Sequence, residues 1–167
     1  MKNKKVKQIS NCKSFEILKS QIESYFINDS LIETSCFLHK MKVGEITIER
    51  EVISFSLPFE CWIRFGSNEK NKGLELVSIR IHPKMQGIGI GTMLITKMFK
   101  FLNDCLGFIP EIQLECTGCI GNNEGDYLIN PIKNQTKFFR KFGFRVTNSK
   151  EYPIYVKMEL DFNKIKY

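Results

Sequence analysis

The sequence predicts a mixed α/β (α+β) single domain, and three observations lead to it. Apolar and polar residues alternate through GEITIER (44–50), VISFSL (52–57) and LELVSIRIH (74–82), the pattern of strands with one buried face. Apolar residues recur at helical spacing through SFEILKSQIESYF (14–26) and TMLITKMFKFL (92–102). The two patterns interleave along 167 residues, enough for one domain with one sizeable core.

Taken in order, Phe15, Leu18, Ile22 and Phe26 fall on one helical face, with Ser14 as the expected N-cap. Residues 31–39 form a strand candidate ahead of the alternating strands 44–50 and 52–57. Residues 60–65, carrying Trp62, are a further strand, and GSNEKNKG (66–73) is a polar turn. In the strand 74–82, strict alternation puts Glu75, Val77, Ile79 and Ile81 on one face. Pro83 and three glycines separate that strand from the helix 92–102, and EIQLEC (111–116) is the next strand. An irregular loop (116–131) leads to a short amphipathic helix, QTKFFRKF (135–142), stopped by Gly143, and residues 144–146 and 152–160 are the last strands.

Composition narrows the function classes. A hydrophobic share of 43% with 26% charged residues is ordinary for a soluble globular protein. No apolar run approaches the ~18 residues of a membrane span. The lysines of MKNKKVKQISNCKS precede no apolar segment of a secretory signal, so a cytoplasmic location is expected. Six scattered cysteines then read as reduced thiols. Cys116 and Cys119 in CTGC lack a second pair at ligand spacing, and GNNEG stands where a thioredoxin-type helix would begin, so no metal is expected. Of the net charge of +7, the first twenty residues carry +5, as six lysines against Glu16. Residues 1–13 are read as a basic N-terminal segment and 14–167 as the domain. That segment keeps nucleic acid open as a partner, although a solvated lysine-rich end is the commoner case.

The stretch HPKMQGIGIGTML (82–94) carries the functional argument. A dinucleotide fingerprint needs GxGxxG, but from Gly87 the third glycine would fall at Thr92, and from Gly89 at Leu94. A Walker loop needs Gly-Lys before the helix, and none is present. What remains is QGIGIGT between a strand and a helix. Glycines there let a ligand approach backbone N–H groups, and the helix start adds unpaired donors and a positive dipole end. Together they suit a diphosphate.

Residues 81–91, ending Gln86-Gly87-Ile88-Gly89-Ile90-Gly91, closely resemble the acyl-CoA signature of the GCN5-related N-acetyltransferase (GNAT) superfamily, with Gln86, Gly89 and Gly91 at its fixed positions. A second block, FFRKFGF (138–144), resembles the family's short helix ending in Gly-Phe. The resemblance covers roughly residues 74–160. It implies a GNAT-like fold with a central, mostly antiparallel twisted sheet flanked by helices. It also implies acetyl-CoA as cosubstrate, and transfer of the acetyl group to a primary amine by direct attack.

By the same resemblance, Ile79, Arg80 and Ile81 would pair with the pantetheine arm, and a backbone N–H near Ile79 would polarise the thioester carbonyl. Gln86, Gly87, Ile88, Gly89, Ile90, Gly91 and Thr92 would hold the diphosphate. Asn134, Phe138 and Lys141 on the second block complete the expected cofactor contacts. Glu75 is the candidate base, as a carboxylate on an otherwise apolar face. Where many members carry a tyrosine that protonates the thiolate, this chain has Phe139, so Tyr127 becomes the candidate acid, with Tyr152, Tyr155 and water as alternatives. The expected acceptor is an amine-bearing small molecule or a protein or peptide, with the enzyme a monomer or homodimer away from membranes. The alternative is an acyl-CoA-binding or nucleic-acid-associated module of the same fold with weak chemistry, which Phe139 favours.

Overall fold

The computed structural model describes residues 6–8, 11–68, 73–116, 119–120, 128–129, 132–148 and 156–160. The chain forms two compact units, residues 1–110 and 111–167, each with its own strands and helices.

In the first unit the chain runs β1 (Val6–Gln8), α1 (Lys13–Tyr25), β2 (Glu33–Val43), β3 (Ile46–Leu57), β4 (Cys61–Ser67), β5 (Leu74–Arg80), a 3-10 turn (Pro83–Met85) and α2 (Ile90–Leu106). β2 pairs with β3, β3 with β4 and β4 with β5, all antiparallel, while β1 lies parallel to β3 from Val6 opposite Thr47. The expected mixed, mostly antiparallel architecture is therefore present. Residues 6–8 of the basic N-terminal segment belong to a strand.

Three sequence expectations are corrected here. α1 is capped by Cys12, and Ser14 lies inside its first turn. The Cys12 N–H donates to Ser67 Oγ at 3.1 Å and its thiol reaches the Gly73 carbonyl at 3.3 Å, so bonds from distant residues set the helix start. Residues 44–50 and 52–57 are not two strands but one, joined to β2 by a turn with Gly44 at φ 60°. Its apolar residues switch from Ile46 and Ile48 to Ile53 and Phe55, which reads as a break in the sequence. The backbone instead continues unbroken through Glu51.

The third correction concerns β5. Arg64 pairs with Ser78 but Phe65 pairs with Leu76, so Val77 is an extra residue on β5, a β-bulge. The bulge reverses the alternation. Leu74 and Leu76 precede it on the face of buried Phe65, whereas Ile79 follows it on the face of buried Ile63. Glu75 therefore shares a face with Ser78 and Arg80, opposite to Ile79.

Helices α1 and α2 cover the face bearing Ile53, Phe55, Ile63 and Phe65. Phe15, Leu18 and Ile22 from α1, and Leu94, Ile95, Met98, Phe101 and Leu102 from α2, are all buried. Phe55 sits at the centre, with ring centroids 5.3 Å from Phe26, 5.6 Å from Phe65 and 6.1 Å from Phe101. Each such side chain contributes about 1.5–3 kcal/mol by leaving water. An Asp29–Lys97 ion pair at 2.6 Å links the segment after α1 to α2. α2 is longer than its apolar pattern suggested and stops at Gly107, whose φ of 74° suits glycine.

The second unit contains β6 (Ile112–Cys116), β7 (Cys119–Ile120), β8 (Leu128–Ile129), α3 (Ile132–Arg140), β9 (Phe144–Asn148) and β10 (Val156–Leu160). β10 pairs antiparallel with both β6 and β9, and β7 pairs with β8 inside the stretch expected to be irregular. Ile112, Leu114, Phe139, Phe144, Met158 and Leu160 are buried. Gly143, at φ 93°, follows α3 as expected. Among the described residues no helix is long and apolar enough to cross a membrane.

Candidate functional site

The glycine loop is built to present backbone donors. After β5, the 3-10 turn is closed by Met85 N–H to His82 O (2.8 Å) and Gln86 N–H to Pro83 O (3.3 Å). His82 Nδ1 accepts from the Lys84 N–H at 3.2 Å, and the Gln86 side chain donates back to Ile81 O at 3.1 Å, tethering the loop to the strand end. Gly87 and Gly89 then adopt φ of 79° and 89°. A Cβ at either would meet nothing within 4 Å, so the backbone conformation, not crowding, requires glycine.

Gly89 is the N-cap of the 17-residue α2, and the first helical bond runs from Met93 N–H to Gly89 O at 2.9 Å. The N–H groups of Ile90, Gly91 and Thr92 thus precede the first helical bond and have no partner within the helix. Gly87, Ile88, Gly89 and Thr92 are exposed, and no acidic residue occupies the first turn of α2. Unpaired donors at the positive end of a helix dipole favour an anion. Gln86, Gly87, Ile88, Gly89, Ile90, Gly91 and Thr92 form the continuous loop and helix start, with Ile79, Arg80 and Ile81 leading into them.

The other sheet face, away from α1 and α2, carries the unit's polar chemistry. Arg50, 5% exposed, makes a two-pronged ion pair with Glu75, Nη1 to Oε2 at 2.8 Å and Nη2 to Oε1 at 3.1 Å. The pair crosses β4 at Gly66, where a Cβ would lie 2.9 Å from the Glu51 carbonyl and 3.5 Å from Arg50 Cδ. The expectation that Glu75 shares a face with Ile79 and Ile81 is corrected by the Val77 bulge. Both Glu75 oxygens accept from Arg50, so the candidate base is held in an ion pair.

Beside this pair, Arg64 lies 4.4 Å from the Trp62 ring and 5.1 Å from the Phe37 ring, and Arg80 lies 5.0 Å from the Trp62 ring. Arg80 also pairs with Glu60 at 3.0 Å. His39, opposite Arg50, is held below its usual pKa by burial and then by the charges of Arg50 and Arg64. None of Arg50, Arg64 or His39 was singled out from the sequence. The signal available was their shared parity on alternating strands, legible only once strand order and register are known.

On the second unit, Asn134 and Lys141 are exposed and Phe138 is half-buried, on or just after α3. Phe139 is buried, with centroids 5.2 Å from Phe138 and 5.7 Å from Phe144. Its ring is a packing element of this unit. Burial pushes the Cys116 thiol up to about 11, beside Met158 Sδ at 3.8 Å. Tyr127, Tyr152 and Tyr155 lie outside the described residues.

Residues 51–125 match the model of the Acetyltransferase (GNAT) family, a segment that contains β4, β5, the glycine loop and α2. No curated protein matches the chain significantly. Solved structures resemble it loosely. A protein from Bacillus anthracis str. Ames, assigned as a streptothricin acetyltransferase and solved with acetyl coenzyme A, is 16% identical, covering 84% of this chain and 96% of its own, at a TM-score of 0.46. An acetyltransferase assigned to the GNAT family, from Desulfovibrio desulfuricans subsp., is 12% identical over 87% of this chain and 77% of its own, at 0.48. A nourseothricin acetyltransferase is 15% identical over 83% and 92%, at 0.44. Likeness at those scores supports no argument about chemistry. The family match falls on the strand, the glycine loop and the helix it opens, and over that segment the chain is similar to the GNAT family of acetyltransferases.

Proposed function

We propose that this protein transfers the acetyl group of acetyl-CoA to a primary amine. The observation that carries the reading is the exposed glycine loop and the unpaired N–H groups of residues 90–92, opening α2 within the family-matched segment. A diphosphate on these donors would leave its pantetheine arm free to run along β5 beside Ile79, Arg80 and Ile81. The Ile79 N–H, just past the bulge, is assigned to the thioester carbonyl, where donor hydrogen bonds stabilise negative charge as it develops.

In the step itself the neutral amine attacks the carbonyl carbon, a C–N bond forms and the C–S bond breaks. The amine proton leaves to water, because Glu75 is engaged by Arg50 and serves as its partner in this reading. The thiolate takes a proton from Tyr127, a role assigned from sequence since Phe139 has no proton to donate. Asn134, Phe138 and Lys141 stay assigned to the cofactor by the sequence resemblance alone, and Lys137, Arg140 and Lys141 on or just after α3 are exposed cations suited to a phosphate.

The first experiment is a thermal-stability titration with acetyl-CoA, coenzyme A and NAD. A ligand selective for the native state raises the transition temperature. The reading requires a shift with both CoA species and none with NAD. No shift at millimolar acetyl-CoA would refute it.

A further inference from the structure

Three buried side-chain nitrogens lack hydrogen-bond partners among the described residues: Arg50 Nε, Trp62 Nε1 and Arg64 Nε. All three are donors, and two belong to the Trp62–Arg64 stack. A ligand that completes them must bring acceptors.

The charges on this face are answered unevenly. Arg50 is neutralised by Glu75 and Arg80 by Glu60. Arg64 has no carboxylate and no hydrogen bond among the described residues, being held between Phe37 and Trp62 by ring contacts alone. Burial lowers its pKa, and no neighbouring acid opposes that shift. Its cross-strand neighbours, Ser54 on β3 and Ser78 on β5, are both small and uncharged.

Position adds direction. Arg64 stands opposite Ser78, immediately beside the bulged Val77, and Ile63 next to it pairs with Ile79. It therefore sits one residue step from the rung assigned to the thioester carbonyl, on the neighbouring strand. A planar fork of donors stacked on an indole matches a carboxylate better than a point charge would.

Building on the acetyltransferase reading, we infer that Arg64, stacked on Trp62 beside the β5 bulge, is a specificity residue that binds a carboxylate on the amine acceptor. The substrate class is then amino acids and related amino acid-like molecules, with the carboxylate on Arg64 and the amine directed at the bulge.

Trp62 is the only tryptophan of the chain, so its fluorescence reports on this stack directly. The test titrates the full-length protein with N-acetylglycine and with N-acetylglycinamide at matched ionic strength. N-acetylglycine should give a saturable change and the amide none. Arg64→Gln should weaken the carboxylate response about tenfold or more, and Arg64→Lys, which keeps the charge without the fork, should weaken it less. Equal responses to acid and amide, or an undiminished response in Arg64→Gln, would overturn the inference. Acetyl-CoA stabilisation of the same variants, expected to match the wild type, reads the acetyltransferase assignment separately. Its absence in the wild type would refute that assignment whatever N-acetylglycine does.

Discussion

Arg50 reaches Glu75 across the bare backbone of Gly66, its Nη1 lying 2.8 Å from Glu75 Oε2 while the arginine itself is 5% exposed. The pair ties β3 to β5 over the intervening strand. Removing one partner strands a buried charge, which is the costly way to break such a pair. Glu75→Ala should lower stability by about 1–3 kcal/mol, because Arg50 loses charge-assisted bonds but Glu75 is partly solvated. Urea unfolding measures this. Glu75→Gln, assayed with an accepted amine, should leave the pH dependence of kcat/KM unchanged; loss of its acidic limb would restore Glu75 as the base.

Gly66→Ala is the sharper structural test. The new methyl would lie 2.9 Å from a backbone carbonyl, which cannot swing aside as a side-chain tip can. A loss of about 1–3 kcal/mol is expected from overpacking, together with displacement of Arg50. Stability equal to the wild type would show that the three-strand bridge is dispensable.

Gly89→Ala places a Cβ at a backbone φ of 89°, a conformation that costs a non-glycine residue about 1–2 kcal/mol. The alternative is for the loop to relax and scatter its donors. Affinity for acetyl-CoA should fall about tenfold, since that strain is of the order of 1.4 kcal/mol. Calorimetric titration reads it directly, and unchanged affinity would remove the loop from the site.

Acid sensitivity should arrive in two stages. His39 has a lowered pKa in the folded state, so below its ordinary value of about 6.5 the unfolded chain binds the proton more readily. Stability is present in full above that value and falls as the pH drops through the folded pKa. His39→Gln should flatten this first stage. Glu51, lowered by its hydrogen bond to Lys19, and Asp29, lowered by Lys97, add stability above the ordinary carboxylate range that is lost as the pH falls below it. Unfolding midpoints from pH 7.5 to 3 would resolve the two, and a profile with no change around pH 6 in the wild type would contradict the His39 assignment.

Tyr127→Phe addresses the leaving group. With a phenol donating the proton, kcat should drop on the order of 100-fold while acetyl-CoA affinity stays unchanged. An unchanged kcat would pass the role to Tyr152, Tyr155 or water.

The sequence by itself determined the local features. Helical and alternating periodicity located α1, α2 and most of the strands, and QGIGIGT marked the turn from strand to helix. Those signals are local because a positive-φ glycine and a helix's first unpaired N–H groups depend only on residues a few positions apart. Tertiary structure alone decided the rest. Whether Cys12 or Ser14 caps α1 depended on Ser67, more than fifty residues away. The β4–β5 register placed one extra residue at Val77 and so moved Glu75 from the expected face to the opposite one, against Arg50. Arg64 came to rest on Trp62 and Phe37 through pairings among three strands. The bulge's trace in the sequence is the shift of apolar phase from Leu74 and Leu76 to Val77, Ile79 and Ile81, but only the β4–β5 register puts Glu75 with Arg80 on the face opposite Ile79.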